Sequence, residues 1–546
     1  MVWLILTELI AVFAALMAAC RYYLHMLQLE SYQIDGYIRF LQKNPARKWG
    51  KTLTIGAAAG VSGLILPLLC PLFTGERQKS TLISHILVLA VFIVLTVLMV
   101  YRDITLKQKK PLVFTKRMKR LVGFQALANI VIIAVFALVL KRDDTGESGY
   151  ILTYISPCVL MIAAPWLPVI AEKLAEPYEN SVNKKFYTMA QQKLAARKDL
   201  IKIGITGSYG KTSTKFILSE ILSVKYNVFP PKSSINTPMG LSKAINTELK
   251  DEHQVFIAEM GARHVGDIKE LAELVKPTMG LITSIGPQHL ETFGTIENVA
   301  NTKFELIKGM GKKGTGVFAS DGAWVDKMYA KATGEKLLCG IGENPSFSLY
   351  AKDIETGAFG SRFTLVTAQG ESVSCQTTLL GSHSISNIVL CCCAALKLGL
   401  TLDEIATGVK RLKPVEHRLQ LIPGALNVID DAFNSNPRGA TEALNVLNSF
   451  PGKHLIITPG FVELGEHEKE YNYELGTKIA AACDAAILVG PKHTAPIKEG
   501  LLKAGFDRDA IRTVNTLEEA GALISRFTHP GDAVLFENDL PDNYNE

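Results

Sequence analysis

The chain is predicted to fold as an α-helical membrane domain of about five transmembrane helices followed by two α/β domains, a P-loop-type central domain and a Rossmann-like C-terminal domain. Three observations predict this. Long apolar runs crowd the first third of the 546 residues. From residue 200 onward, short apolar runs alternate with helical patterns. At 206–213 one such run passes through a glycine turn directly into a helix. Composition fits a folded chain: 48% hydrophobic and 20% charged residues, with a mean hydropathy of +0.19. These values exclude a disordered, collagenous or disulfide-scaffold protein.

Five runs, near 2–20, 52–73, 83–101, 121–140 and 152–171, reach the roughly 20 apolar residues that a bilayer-crossing helix needs. The second contains Gly56 and Gly60, a spacing that lets helix backbones approach closely. The loops 21–51 and 102–120 are rich in Lys and Arg, including Arg39, Lys43, Lys110, Arg117 and Arg120. The alternate loops hold only Arg77, Lys79, Lys141 and Arg142. That asymmetry puts the first set on the cytoplasmic side. The expected location is the bacterial cell membrane, multi-pass, with everything after 171 in the cytoplasm. Glu8, His85, Gln125 and Asn129 are the polar groups inside the runs. Reduced thiols are expected in the cytoplasmic part. Consecutive Cys391, Cys392 and Cys393 point about 100° apart on a helix, cannot converge on one metal, and read as core residues.

The domain boundaries follow the changes of pattern: 1–171 transmembrane, 172–199 a linker helix, 200–414 central, and 415–546 C-terminal. In the linker, Lys184, Lys185, Lys193 and Arg197 lie on an amphipathic helix, where they suit either anionic lipid head groups or plain solvent. Strands are expected at 201–206, 255–259, 279–284 and 315–319, with helices near 211–225, 265–275 and 297–310. A second series places strands near 426–430, 453–458, 484–489 and 532–536 with helices between them. Short antiparallel strands at 346–380 and two helices at 384–412 separate the series. Strand–helix alternation of this kind builds doubly wound parallel sheets.

The chemistry is concentrated in three blocks. Thr206-Gly207-Ser208-Tyr209-Gly210-Lys211-Thr212-Ser213 follows a strand and opens a helix. Glycines let backbone N–H groups approach phosphate, the helix N-terminus favours the anion, the lysine reaches the outer phosphates, and Thr212 offers a hydroxyl to Mg²⁺. The spacing is a tight T-G-x-x-G-K-T, because Ile205 stands where the usual pattern has its first glycine. Next, the strand Val255–Glu259 ends in a carboxylate at the edge where open α/β sheets bind ligands. Third, Ile282–Gly294 carries His289, with Lys303 fourteen residues further on.

Together these blocks resemble the muramyl ligase family of ATP-dependent amide-bond formers, over roughly 200–546. That family reads T-G-(S/T)-x-G-K-(T/S), then E-(M/L)-G-A-x-x-x-G-(D/E)-I, then H-L-E-x-F-G with a lysine fourteen residues after the histidine. Later segments continue the resemblance. Gly381-Ser-His383-Ser-Ile-Ser-Asn387 is similar to the family's G-x-H-x-x-x-N, whose asparagine contacts adenine. His417-Arg418 is similar to a nucleotide-reaching arginine at the domain junction. Asp430-Asp431-Ala-Phe-Asn434-Ser-Asn436-Pro437 is similar to D-D-x-Y-N-A-N-P, whose second aspartate touches ribose.

The resemblance implies an acyl-phosphate ligase using ATP and two Mg²⁺ sites. It assigns the nucleotide to Gly207, Ser208, Gly210, Lys211, Thr212, Ser213, Asn387, Arg418 and Asp431. Metal falls to Thr212, Glu259, His289 and Lys303, the last as a carbamoylated lysine. Lys211, Lys303, His289 and Asn236 are the expected catalytic groups. The implied partners are a UDP- or lipid-linked, peptide-bearing cell-wall precursor and an amino acid or dipeptide such as D-alanyl-D-alanine. Membrane lipid is a further expected partner, and nucleic acid is not one. Two departures bear on the substrate. Membrane helices are expected where the family has a soluble nucleotide-gripping N-terminal domain. Phe536-Glu537-Asn538-Asp539-Leu540-Pro541-Asp542 replaces the K-G-S-R of the D-alanyl-D-alanine-adding member. The alternatives are a ligase for another peptide or poly-amino-acid, and a membrane transporter or sensor with a nucleotide domain.

Overall fold

A computed structural model describes residues 2–43, 77–105, 110–141 and 159–539, save 233, 434 and 463, together with scattered positions between 52 and 65. The chain divides into two units, Met1–Val182 and Asn183–Leu540.

The first unit is helical: Val2–Leu29, Ile34–Lys43, Arg77–Thr105, Lys116–Lys141 and the first half of Leu167–Ala196. These segments converge on a protein core that includes Leu16, Leu27, Tyr37, Met118 and Met161. Polar contacts tie the core together. The Tyr37 hydroxyl donates to the Pro165 carbonyl at 2.6 Å, and a His25 ring nitrogen lies 2.8 Å from the Lys110 carbonyl.

Here the structure corrects the sequence reading. Among the described residues, two stretches, Leu9–Leu29 and Lys116–Val135, are long and apolar enough to cross a membrane, not five. Two of the basic residues used for orientation are also engaged within the protein. Arg117 and Arg120 lie in a helix and pair with Glu172 and Glu179, each at 2.6 Å. An apolar run of a given length packs a protein core as readily as it crosses lipid. The five-helix membrane domain is therefore replaced by a helical unit with its own core. The multi-pass localisation and the lipid partner, which rested on five spans, go with it. Gln125 and Asn129 hydrogen-bond each other at 2.9 Å. The Glu8 and His85 side chains, Cys70, Cys158, Gly60 and most of 52–73 lie outside the described residues.

In the second unit the remainder of Leu167–Ala196 packs Ala190 and Leu194 into the adjoining core. Its Lys193 ammonium donates to the carbonyls of Ile245 and Leu249, at 2.9 and 2.6 Å, around the C-terminal end of the helix Pro238–Thr247. Arg197 likewise binds the Lys250 and His253 carbonyls. These two cations are thus engaged with backbone carbonyls of the protein.

The unit's larger sheet holds β1 (Ile201–Thr206), β2 (Val228–Phe229), β3 (Val255–Glu259), β4 (Met279–Ile282), β5 (Thr315–Ala319), β6 (Glu335–Ile341), β7 (Leu349–Gly357), β8 (Gly360–Thr367) and β9 (Ser372–Thr377). Their order is β2-β3-β1-β4-β5-β6-β7-β8-β9, parallel as far as β7 and antiparallel beyond. Both faces of the parallel part are covered, as parallel sheets require. Ile203, Ile205, Val255 and Ile257 face the helices Lys211–Leu222, Ser382–Lys397 and Leu402–Lys410. Phe256 and Ala258 face the opposite way, toward Pro238–Thr247, Asp267–Val275 and Ile296–Met310. Cys391, Cys392 and Cys393 lie in the first of these cores as buried thiols.

A second sheet, ordered β10-β11-β15-β12-β13-β14, comprises β10 (Gln420–Ile422), β11 (Asn427–Asp431), β12 (His454–Thr458), β13 (Ala485–Val489), β14 (Ile511–Val514) and β15 (Ala533–Glu537). Helices Pro437–Leu447, Glu468–Ala482 and Ala495–Lys503 cover one face and Leu517–Phe527 the other. Gly476 and Gly500 permit a backbone contact between two of these helices. A Cβ at Gly476 would lie 2.2 Å from the Ile497 carbonyl oxygen.

Candidate active site

Because β1, β3 and β4 are parallel neighbours, Thr206, Glu259 and Ile282 end at the same edge of the sheet. The loop after β1 is moulded onto the end of β4. Ser208 N–H donates to the Ser284 carbonyl at 2.7 Å, and the Thr283 hydroxyl donates to the Tyr209 carbonyl at 2.6 Å. A Cβ at Gly207 would fall 1.9 Å from the Thr283 hydroxyl oxygen, so the close approach needs glycine. Gly210 has φ 78° and caps Lys211–Leu222 with no side-chain hydrogen bond. The first-turn N–H groups of that helix therefore face the loop, an arrangement that attracts anions. The Lys211 ammonium folds back onto the carbonyls of Gly207 and Ser208, at 2.8 and 3.0 Å. Burial pushes it down to about 8, against the pull of Glu259 and with the help of Arg418.

Glu259 is the hub. It is 1% exposed. Its Oε1 accepts from the Thr212 hydroxyl at 3.0 Å and from Asn236 Nδ2 at 3.1 Å. Its Oε2 lies 3.3 Å from the Lys215 ammonium. Arg418, arriving from the segment before β10, donates to the same Thr212 hydroxyl at 3.3 Å and stacks 4.6 Å from the Phe433 ring. Left-handed backbone at His417 and Leu419, φ 59° and 46°, turns the chain on either side of Arg418. Asn387 packs on the loop: a Cβ at Gly210 would lie 2.7 Å from its Oδ1. Asp431 accepts from Leu419 N–H at 3.0 Å, and burial pushes its carboxyl up to about 6.

Lys303 is 1% exposed on the helix Ile296–Met310. Burial and the neighbouring Lys211 push its ammonium well below the usual lysine range, opposed by Asp267 and Glu305. His289, φ 51°, starts the Leu290–Phe293 turn, which the Thr292 hydroxyl fastens to the Arg263 carbonyl at 2.5 Å. The second and third sequence blocks are thereby adjacent. Ser213, Gly210, Thr212, Asn387, Arg418 and Asp431 all line one cavity of about 730 Å³, a size suited to a nucleotide.

The donor set suits a hard divalent cation, since a hydroxyl and a carboxylate oxygen meet at the mouth of the phosphate loop. Among the described residues no group of three or more His, Cys, Asp or Glu side chains is gathered to hold a metal. A cation held there would take its remaining ligands from water or phosphate oxygens.

Two residues beside the site went unread in the sequence. Lys215 stands one turn beyond Lys211, and an i, i+4 relation places both on the same helix face. Phe433 occupies the aromatic position of the D-D-x-Y-N pattern, which signals a stacking platform. Asn434 lies outside the described residues.

Comparison with known proteins agrees with this geometry. Residues 205–395 match the Mur ligase middle domain, and 417–537 the Mur ligase glutamate ligase domain. The UDP-N-acetylmuramoyl-tripeptide–D-alanyl-D-alanine ligase of Escherichia coli K12 is 30% identical over 317 residues, covering 57% of this chain and 69% of that protein. The enzyme of the same name from Bacillus subtilis 168 is 27% identical over 339 residues, covering 61% and 72%. Among solved structures, MurF ligase from Thermotoga maritima in complex with ADP superposes with a TM-score of 0.58. It is 25% identical and covers 65% of this chain and 80% of its own.

Proposed function

Since the chain belongs to the Mur ligase family of ATP-dependent amide-bond-forming enzymes, we propose that it adds D-alanyl-D-alanine, or a closely similar amine, to a peptide-bearing cell-wall precursor. The observation that carries this reading is the hub at Glu259, where Thr212, Asn236 and Arg418 converge on the mouth of the phosphate loop.

A carboxylate does not react with amines unaided. Its oxygen attacks the γ-phosphorus of ATP, the bond from that phosphorus to the β–γ bridging oxygen breaks, and ADP departs. The amine nitrogen then attacks the acyl carbon, phosphate leaves, and the nitrogen loses a proton. In this scheme Gly207, Gly210 and Ser213 present backbone and hydroxyl donors to the phosphates, while Ser208, whose N–H and hydroxyl bond Ser284 and Gly286, fixes the shape of the loop. Lys211 neutralises their charge, Asn387 meets the base, and Asp431 accepts from ribose. Asn236 and Arg418 hold Glu259 and Thr212 in place at the γ-phosphate. Thr212, Glu259, His289 and a carbamoylated Lys303 would hold Mg²⁺ at two sites. When bound, Mg²⁺ supplies charge neutralisation of the crowded phosphate oxygens. Burial of Lys303 supports the carbamate, because only an unprotonated amine captures CO₂.

A second reading, a ligase for a different amine, is favoured by Glu537. It stands in the run that replaces K-G-S-R, is fully buried, pairs with Ser435, and lies in register with Asp431 across β15 and β11. Burial and Asp431 push its carboxyl well above the usual range. A buried acid in that place alters the charge next to the C-terminal sheet edge.

ADP release with Mg²⁺, ATP, D-alanyl-D-alanine and either UDP-linked or lipid-linked muramyl tripeptide separates these readings. The proposal expects release that requires both acid and amine, with an amide product. Turnover only with another amine would move the assignment to the second reading. ADP release independent of acid and amine would overturn ligation altogether.

A further inference from the structure

The surroundings of Glu259 carry a consequence for how metal enters. Its buried carboxylate is ringed by cations: Lys215 touches Oε2, while Lys211 and Arg418 lie near enough to act on it through space. Of these, Arg418 lines the cavity, where a nucleotide's phosphates compete for it, and Lys211 rests on the carbonyls of the phosphate loop. Lys215 does neither. It is 0% exposed, one turn deeper in the helix, with its ammonium against Glu259 and 4.8 Å from the Phe216 ring. A buried ion pair contributes little to stability that an apolar pair of similar size would not. What Lys215 does, and methionine would not, is hold a positive charge 3.3 Å from Oε2, a buried oxygen that accepts no hydrogen bond. Oε1 alone is left facing Thr212.

We propose that Lys215 is a positioning residue that keeps Glu259 from capturing a divalent cation on its own, so that metal is admitted only together with the nucleotide phosphates. The inference rests on reading Glu259 as a metal ligand. Without nucleotide, a dication approaching Oε1 meets a carboxylate already ringed by three positive side chains. With nucleotide, the phosphates supply the missing anionic ligands and draw Lys211 and Arg418 to themselves.

The test is Mn²⁺ binding, followed by electron paramagnetic resonance, to the full chain with and without ADP. The wild type is expected to bind Mn²⁺ weakly alone and more tightly with ADP. In nucleotide-free protein, Lys215→Met is expected to bind Mn²⁺ at least about tenfold more tightly, because one nearby positive charge is gone. Lys215→Arg, which keeps that charge, should stay within about threefold of the wild type. If Lys215→Met does not fold, Lys215→Gln removes the charge while keeping a donor toward Oε2. Unchanged nucleotide-free binding in the folded charge-removed variant, or tight nucleotide-free binding in the wild type, overturns the proposal. Glu259→Gln separates the two layers of the argument. If it leaves the ADP-dependent gain intact, the reading of Glu259 as a ligand fails. If it abolishes that gain while Lys215→Met behaves like the wild type, only the role of Lys215 fails.

Discussion

Replacing Lys211 by methionine is expected to lower kcat/KM for ATP by about a thousandfold, the cost of losing a preorganised charge aimed at a transferring phosphoryl group. The lysine opens the helix Lys211–Leu222, and its ammonium already rests on the carbonyls of the loop that would hold the phosphates. The same group predicts a pH dependence. Burial lowers it to about 8, with Glu259 opposing and Arg418 reinforcing the shift. In the nucleotide-free protein its charge is present below pH 8 and lost above. ADP affinity should therefore fall as pH rises through about 8, and Lys211→Arg should flatten that profile, since arginine keeps its proton. The effect on folding has the opposite sign. Between about 8 and the ordinary 10.5 the unfolded chain binds the proton that the folded one has released, so this group makes stability rise with pH there. Calorimetric titration of ADP across the range checks the first statement. A pH-independent affinity in the wild type would contradict it.

Lys303→Ala should lower kcat by about a hundredfold or more while leaving ADP affinity nearly unchanged, a loss confined to the reacting complex. Lys303 does not line the nucleotide cavity; it reaches the site from the opposite helix layer, buried beside Lys211. An amine held there without its proton can attack CO₂. The nitrogen–carbon bond forms, the proton leaves, and a cationic side chain becomes an anionic oxygen donor. Lys303→Arg keeps the positive charge but not that chemistry, so it should fail as the alanine variant does. A carbamate carbon signal in protein exchanged with ¹³C-bicarbonate, absent from Lys303→Ala, would support the assignment. Full activity in Lys303→Arg would remove it.

Much of the α/β part was legible because its signals are local. The strands Ile201–Thr206, Val255–Glu259 and Thr315–Ala319 are short, mainly apolar runs bounded by polar turns, and they appear with the expected limits. The hub carboxylate was legible for the same reason, as Glu259 is the acid closing the run Val255–Glu259. Other elements were hidden. β6, Glu335–Ile341, starts on charged residues whose exposure at the sheet rim the sequence does not reveal. The helix Pro238–Thr247 begins at a proline that reads as a breaker until Thr237 is seen capping it. The short antiparallel strands expected at 346–380 gave no sign of their sheet, and β7, β8 and β9 extend the larger sheet beyond β6.

The N-terminal third misled for a deeper reason. Hydropathy records how apolar a helix is, not what it touches. Tyr37 on Pro165, Arg117 on Glu172 and Arg120 on Glu179 are long-range contacts that no window along the chain contains. Lys215 escaped notice similarly. In sequence it is one more lysine on an amphipathic helix. Its burial against Glu259 depends on a strand that arrives some forty residues later.

The central claim, amide formation through an acyl phosphate, is tested most directly by isotope transfer. The acid substrate is labelled with ¹⁸O in its reacting carboxylate, and the phosphate released on ligation is analysed by mass. One labelled oxygen is expected in inorganic phosphate for each amide formed, with ADP as the other product. Unlabelled phosphate, or AMP and pyrophosphate in place of ADP and phosphate, would contradict it.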